Sequence, residues 1–217
     1  MSRPSVLVID AGLGNIGSVV AALRRHDCVV QRMPQPPTLE ETGAFTHVVL
    51  PGVGAYAAGM EALELTGWDA WIKETWCAAN RPLLGICLGM QLLASEGVEG
   101  ARDGVRIAGL QLIPGCVERI KVNSDLVLPH VGWNELHWHS PVSPLGQGLP
   151  DAGDLYFVHS YAFRPYDPAH GLASSDYGQR FIVVVGKGAC YGVQFHPEKS
   201  QRLGRRLLAN FLALSPC

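Results

Sequence analysis

The first hundred residues alternate between two hydrophobic periods. SVLVID (5–10), CVVQRM (28–33), THVVLPG (46–52) and PLLGIC (82–87) are short, β-branched and nearly continuous in apolar side chains. Between them SVVAALRRH (18–26), 56–65, 68–79 and GMQLLASE (89–96) carry apolar positions at helical spacing, while PQPPT (34–38) reads as a loop. Apolar strands alternating with helices predict a parallel sheet covered on both faces. After about residue 105 the texture changes. CVERIK, DLVLPHVGWN, DLYFVHSYAF, RFIVVV and CYGVQF follow with few helices between them, which predicts an antiparallel extension. QRLGRRLLANFLAL (201–214) closes the chain as an amphipathic helix. No internal repeat or low-complexity linker interrupts the pattern. The expectation is one α/β domain over 1–217: a mostly parallel central sheet flanked by helices, with an antiparallel extension in the second half.

Composition narrows the function classes. The 217 residues suit one such domain, and 47% hydrophobic against 17% charged residues suggests that some surface is covered by a partner. A net charge of −2 without a Lys/Arg run gives no footprint for nucleic acid or an anionic membrane. The apolar start is too short for a signal peptide, and nothing approaches the roughly 20 apolar residues of a membrane span. Six cysteines (Cys28, Cys77, Cys87, Cys116, Cys190, Cys217) lack a CxxC pair, which disfavours a disulfide framework or a zinc site. The expected setting is cytoplasmic with reduced thiols, and no metal.

Four stretches carry candidate chemistry. GLGNIG (12–17) matches G-x-G-x-x-G between a strand and a helix. The acidic residue a dinucleotide fingerprint needs is missing from Gln31-Arg32-Met33, although Arg32 suits a 2′-phosphate. A tight strand-to-helix turn explains the glycines as well, with Asn15 free to touch something else. GICLG (85–89) has the form G-x-Nuc-x-G of a nucleophile elbow with Cys87 as nucleophile. Glycines at ±2 leave room for the close chain approach, the helix start favours thiolate, and the Leu88 amide can face an oxyanion. A buried core cysteine in a glycine-rich turn is the competing reading. GVQFHPEKS (192–200) places His196 and Glu198 two apart on extended chain, so both can face one way as base and orienting carboxylate; a polar strand end is the alternative. LPGVGAY (50–56) ends a strand in Gly52-Val53-Gly54, where an amide can turn to complete an oxyanion hole, or the strand simply ends. His137 and His139 flank Trp138 without a third metal ligand, and read as structural or interfacial.

PGVGAY, GICLGMQLL and GVQFHPEKS in this order resemble the class I, triad-type glutamine amidotransferases, and they span residues 51 to 200. The resemblance implies L-glutamine as substrate, with Cys87 as nucleophile, His196 as acid/base and Glu198 as its orienting partner. It implies oxyanion donors at Val53, Gly54 and Leu88, a substrate site at Gly52, Gln91, Ser160 and Tyr161, and no cofactor. HVGWN (130–134), YFVHSY (156–161) and GLGNIGSV further resemble the glutaminase subunits of imidazole glycerol phosphate synthases, although that group usually carries an aromatic residue where this chain has Ala11. That likeness implies a role in histidine biosynthesis and a heterodimer with a (β/α)8-barrel cyclase subunit. Asn15, Trp133, Asn134 and Lys199 would then face the barrel. A glutaminase for another synthase, a stand-alone cysteine hydrolase and an NADP-binding module built on GLGNIG are the alternatives.

Overall fold

A computed structural model describes residues 3–101, 105–123, 125–139 and 143–215; Cys217 lies outside the described residues. Five strands run parallel: β1 (Ser5–Ile9), β2 (Val29–Met33), β3 (His47–Gly52), β4 (Leu83–Cys87) and, late in the chain, β13 (Cys190–Val193), in the order β2-β1-β3-β4-β13. Antiparallel pairing begins where β12 (Arg180–Lys187) meets β13. The sheet continues through β10 (Tyr161–Pro165) and β7 (Gly115–Arg119) to two-residue strands β5 (Glu96–Gly97) and β6 (Ile107–Ala108). A branch leaves β12 through β11 (Gly171–Asp176) to β8 (His130–Trp138) and β9 (Ala152–His159).

Helices cover both faces. α1 (Ile16–Leu23) and α6 (Gln201–Leu212) bury Val19, Leu23, Leu207 and Phe211 against one side, with Val6, Val8, Val49 and Val193 beneath them. On the other side α3 (Tyr56–Thr66) and α5 (Leu88–Leu92) pack on Leu7, Ile9, Leu50 and Val185. The apolar strands β1, β3 and β4 are therefore buried on both faces, whereas β2, at the edge of the sheet, stays largely exposed. A short helix, α2 (Leu39–Thr42), follows the proline loop and starts in a capping box between Thr38 and Glu41.

Four sequence expectations need correction. CYGVQF belongs with the parallel half: Val193 pairs with Ile86, so β13 delivers the residues after it beside the end of β4. The helix expected over 68–79 is α over α4 (Trp68–Ala70) and π over Trp71–Cys77. A π turn stacks residues five apart, and it sets Trp71 against Trp76 at 5.5 Å between ring centroids, with Trp76 Nε1 donating to the Pro82 carbonyl. The helix after Cys87 ends at Leu92 rather than Glu96, because Glu96 and Gly97 pair with β6 and β7. Of DLVLPHVGWN, strand begins only at His130, after a cis Leu128–Pro129 peptide.

Candidate active site

Cys87 ends β4 with φ 55° and ψ −110°, a backbone conformation that an L residue holds only when its surroundings impose it. The flanking glycines show what imposes it. A Cβ on Gly89 would lie 1.8 Å from the Leu50 carbonyl oxygen, and one on Gly85 2.5 Å from that of Gly89. Only glycine lets α5 leave the strand this closely. Sγ lies 3.7 Å from the Val158 carbonyl and 3.8 Å from Gln194 Nε2, which donates to it.

Because β13 runs parallel to β4, Gln194 and His196 arrive at the carboxyl edge of the sheet next to the thiol, where open α/β sheets place their ligands. His196 is anchored at its backbone: its N–H donates to the Tyr156 carbonyl at 2.9 Å, and Ser200 Oγ donates to its carbonyl at 2.6 Å. Nδ1 donates to Glu198 Oε1 at 2.8 Å, which leaves Nε2 for the thiol. Both side chains are almost wholly buried. Burial opposes charge on the imidazole, but hydrogen bonds to Cys87 and Glu198 and their charges outweigh it and lift its pKa to about 9. Asn15, in the left-handed conformation at φ 48°, donates from Nδ2 to the same Glu198 oxygen at 3.2 Å. Its side chain thus supports the carboxylate.

The structure brings most of the sequence-chosen residues to one cleft of about 310 Å³. Val53, Gly54, Leu88, Gln91, Ser160, Tyr161 and Lys199 line it together with Cys87 and His196. Gly52 pairs with Cys87 across β3 and β4. Two placements depart from expectation. The Val53 N–H donates to the Leu13 carbonyl at 2.8 Å, so it is not available as an oxyanion donor in this conformation. Asn134 turns into the fold, giving Nδ2 to His130 Nε2 and to the Asp176 carbonyl, whereas Trp133 beside it is 49% exposed. Lys199 is exposed, with Nζ 5.4 Å over the Tyr156 ring.

The glycine-rich turn after β1 serves these neighbours. Gly14 faces Val53, with only 2.8 Å between an added Cβ and Val53 Cγ2, and Arg32 is paired with Asp10.

Sequence reasoning missed Gln194, Glu99, His159 and Ser200. Gln194 had a usable signal, because it sits two residues before His196 on extended chain and so shares its face. Glu99 lines the cleft and accepts from the Tyr56 N–H at 3.1 Å; burial raises its pKa.

The family model for class-I glutamine amidotransferases matches residues 7–214. The chain is 50% identical over 214 residues to imidazole glycerol phosphate synthase subunit HisH 1 of Prochlorococcus marinus, covering 98% of each chain. It is 43% identical to subunit HisH of Rhodospirillum rubrum, covering 97% of this chain and 99% of the relative. Among solved structures, a putative GMP synthase subunit from Thermoplasma acidophilum aligns with a TM-score of 0.72 at 20% identity, over 98% of this chain and 94% of that one, a likeness of fold. With its glycine-flanked Cys87 beside His196 and Glu198, the chain belongs to the class-I glutamine amidotransferases, in the group of HisH-type subunits of imidazole glycerol phosphate synthase.

Proposed function

We propose that the chain hydrolyses L-glutamine to glutamate and ammonia through a glutamyl thioester on Cys87. The ammonia passes to a (β/α)8-barrel cyclase subunit of imidazole glycerol phosphate synthase, in histidine biosynthesis. The observation that carries this reading is the strained Cys87 held beside a His196 that Glu198 orients. The names of the relatives at 50% and 43% identity supply the pathway.

The Cys87 sulfur attacks the amide carbon, and the carbonyl electrons move to oxygen. Leu88 N–H, the first amide of α5, meets that oxyanion, and a second donor comes from the Val53–Gly54 turn once the Val53 peptide has swung away from Leu13. When the C–N bond breaks, His196 gives its Nε2 proton to the leaving nitrogen, and ammonia departs neutral. Water then adds to the thioester with His196 Nε2 as base, which releases glutamate and restores the thiol. Glu198 keeps the Nδ1 proton in place throughout. Glu99, on the cleft wall, pairs with the substrate's α-ammonium group, while Gln91 and the Ser160–Tyr161 backbone shape the other side.

Exposed Val131 and Trp133 lie on β8, and Trp133 meets Tyr156, over which Lys199 sits. An aromatic anchor beside a cation suits a protein interface, which supports docking of the barrel here. Among the described residues no helix is long and apolar enough to cross a membrane. The five described cysteines are all free, which suits a reducing compartment and favours the cytoplasm.

The test is ammonia release from glutamine by the chain alone, by its complex with the barrel subunit and nucleotide ligand, and by Cys87→Ala in both settings. Release in the complex that vanishes in Cys87→Ala supports the reading. Equal release by Cys87→Ala contradicts it.

A further inference from the structure

His130 and His159 stand directly opposite each other across the β8–β9 pair, both buried, and neither is used in the mechanism above. Their hydrogen bonds have only one consistent direction. The Tyr161 carbonyl can only accept, so His159 Nδ1, at 2.8 Å, carries a proton and donates. His159 Nε2, in the neutral ring, then accepts from His130 Nδ1 at 3.1 Å. That leaves His130 Nε2 as an acceptor, and Asn134 Nδ2 donates to it at 3.2 Å. The Asn134 amide is itself fixed, donating also to the Asp176 carbonyl at 2.9 Å and accepting from the Glu135 N–H at 2.8 Å. An added proton on either ring would oppose N–H to N–H, and burial keeps both rings neutral, at pKa values of about 4. His130 is also clamped between rings, stacked on Tyr177 at 4.1 Å and on Phe157 at 5.1 Å.

The chain of bonds ends in the cleft. The Tyr161 carbonyl takes a second donor, Gln91 Nε2, at 3.0 Å. Gln91 Nε2 also donates to Gln194 Oε1 at 3.0 Å, and Gln194 Nε2 reaches Cys87 Sγ. An unbroken line of hydrogen bonds thus joins Asn134, next in sequence to exposed Trp133, to the nucleophile.

We propose that His159 and His130 are positioning residues for the glutaminase site, whose donated hydrogen bonds fix the Tyr161 carbonyl and through it Gln91 at the wall of the glutamine cleft. This rests on the glutaminase reading. His159 borders the cleft, but its ring nitrogens are committed, Nδ1 to the Tyr161 carbonyl and Nε2 to His130, so each ring acts through the next group in line. Losing one such bond lets the wall move, so the effect falls on substrate binding more than on the chemical step.

Isosteres separate positioning from bulk. An asparagine amide nitrogen overlays histidine Nδ1, whereas a glutamine amide overlays Nε2. His159→Asn therefore keeps a donor for the Tyr161 carbonyl, and His159→Gln removes it. His130→Asn keeps the donor to His159, and His130→Gln removes it. Steady-state kinetics of glutamate formation are measured for the full chain in complex with the barrel subunit, with the Tm of each variant beside them. The expected result is a KM for glutamine raised about 5- to 20-fold in both Gln variants, with kcat within about twofold, and a KM within about twofold of the parent in both Asn variants. Equal KM changes in Asn and Gln variants, or a loss confined to kcat, overturn the proposal while leaving the glutaminase reading intact. A parent complex that does not hydrolyse glutamine removes both.

Discussion

The Val53 amide donates to the Leu13 carbonyl at 2.8 Å and so is turned away from the cleft in which Cys87 waits. This amide belongs to the Gly52–Val53 peptide, and Gly52, whose added Cβ would meet Leu88 Cβ at 3.1 Å, is the pivot that allows the peptide to turn. A site lacking one oxyanion donor runs about 10²- to 10³-fold below a complete one. The isolated chain should therefore hydrolyse glutamine at least about 100-fold more slowly than the complex, yet react with iodoacetamide at Cys87 at a similar rate in both. Steady-state rates and alkylation kinetics, measured side by side, check this. A parallel loss of alkylation in the isolated chain would instead mean that the thiol itself is misplaced.

His196 sets the alkaline limit. Its pKa, raised to about 9 from an ordinary 6.5, keeps the ring protonated through neutral pH, and that charge is lost as pH rises through about 9. The native contacts that favour the charged ring are fully present below pH 6.5 and fade toward pH 9. Glutaminase activity of the complex should hold to about pH 8 and fall near pH 9. Glu198→Gln removes the charge that helps raise this pKa and leaves only a weaker, neutral acceptor for Nδ1, while burial, which lowers it, stays. The alkaline limb should then move to lower pH, together with a reduced maximum rate. A pH–rate profile of single-turnover acylation measures both.

Glu99 supplies the carboxylate among the described residues lining the cleft, and the proposed reading pairs it with the substrate's α-ammonium group. A hydrogen bond to a charged group is worth about 1.5–3 kcal/mol, so Glu99→Gln should raise KM for glutamine by about 10-fold or more and change kcat little. γ-Glutamyl compounds without the α-amino group should lose their discrimination against glutamine in that variant. Kinetics with both substrates check it.

Gly89→Ala tests the elbow as a structural device. The new Cβ would fall 1.8 Å from the Leu50 carbonyl oxygen, backbone against backbone, so β3 and α5 must separate. A cost of about 3–5 kcal/mol, a drop of roughly 10 °C in Tm, is expected. Differential scanning fluorimetry reads it directly.

The strand–helix alternation of the first half was legible because doubly buried strands leave unbroken apolar runs such as VLVI (6–9) and PLLGI (82–86). The nucleophile was legible because a close chain approach leaves glycines at fixed offsets from Cys87. The partner strand of CYGVQF was not. An apolar run reads the same in parallel or antiparallel pairing, and contact with β4, about a hundred residues earlier, settles it. The π turn over Trp71–Cys77 keeps helical composition and differs only in how Trp71 and Trp76 stack. Val53 was found as a position, but the direction of its amide was not, since a glycine beside it permits either. Likewise His130 and His159 lie 29 residues apart in sequence, and only the β8–β9 register makes them partners.

The central claim is a glutamyl thioester on Cys87, and trapping it is the most direct test. The complex is mixed with glutamine, quenched in acid within a turnover, digested and analysed by mass spectrometry. A glutamyl adduct on the peptide containing Cys87, absent from Cys87→Ala and from unreacted protein, is the predicted result. Glutamate formed at full rate with no adduct on Cys87, or with one on another residue, would contradict the account.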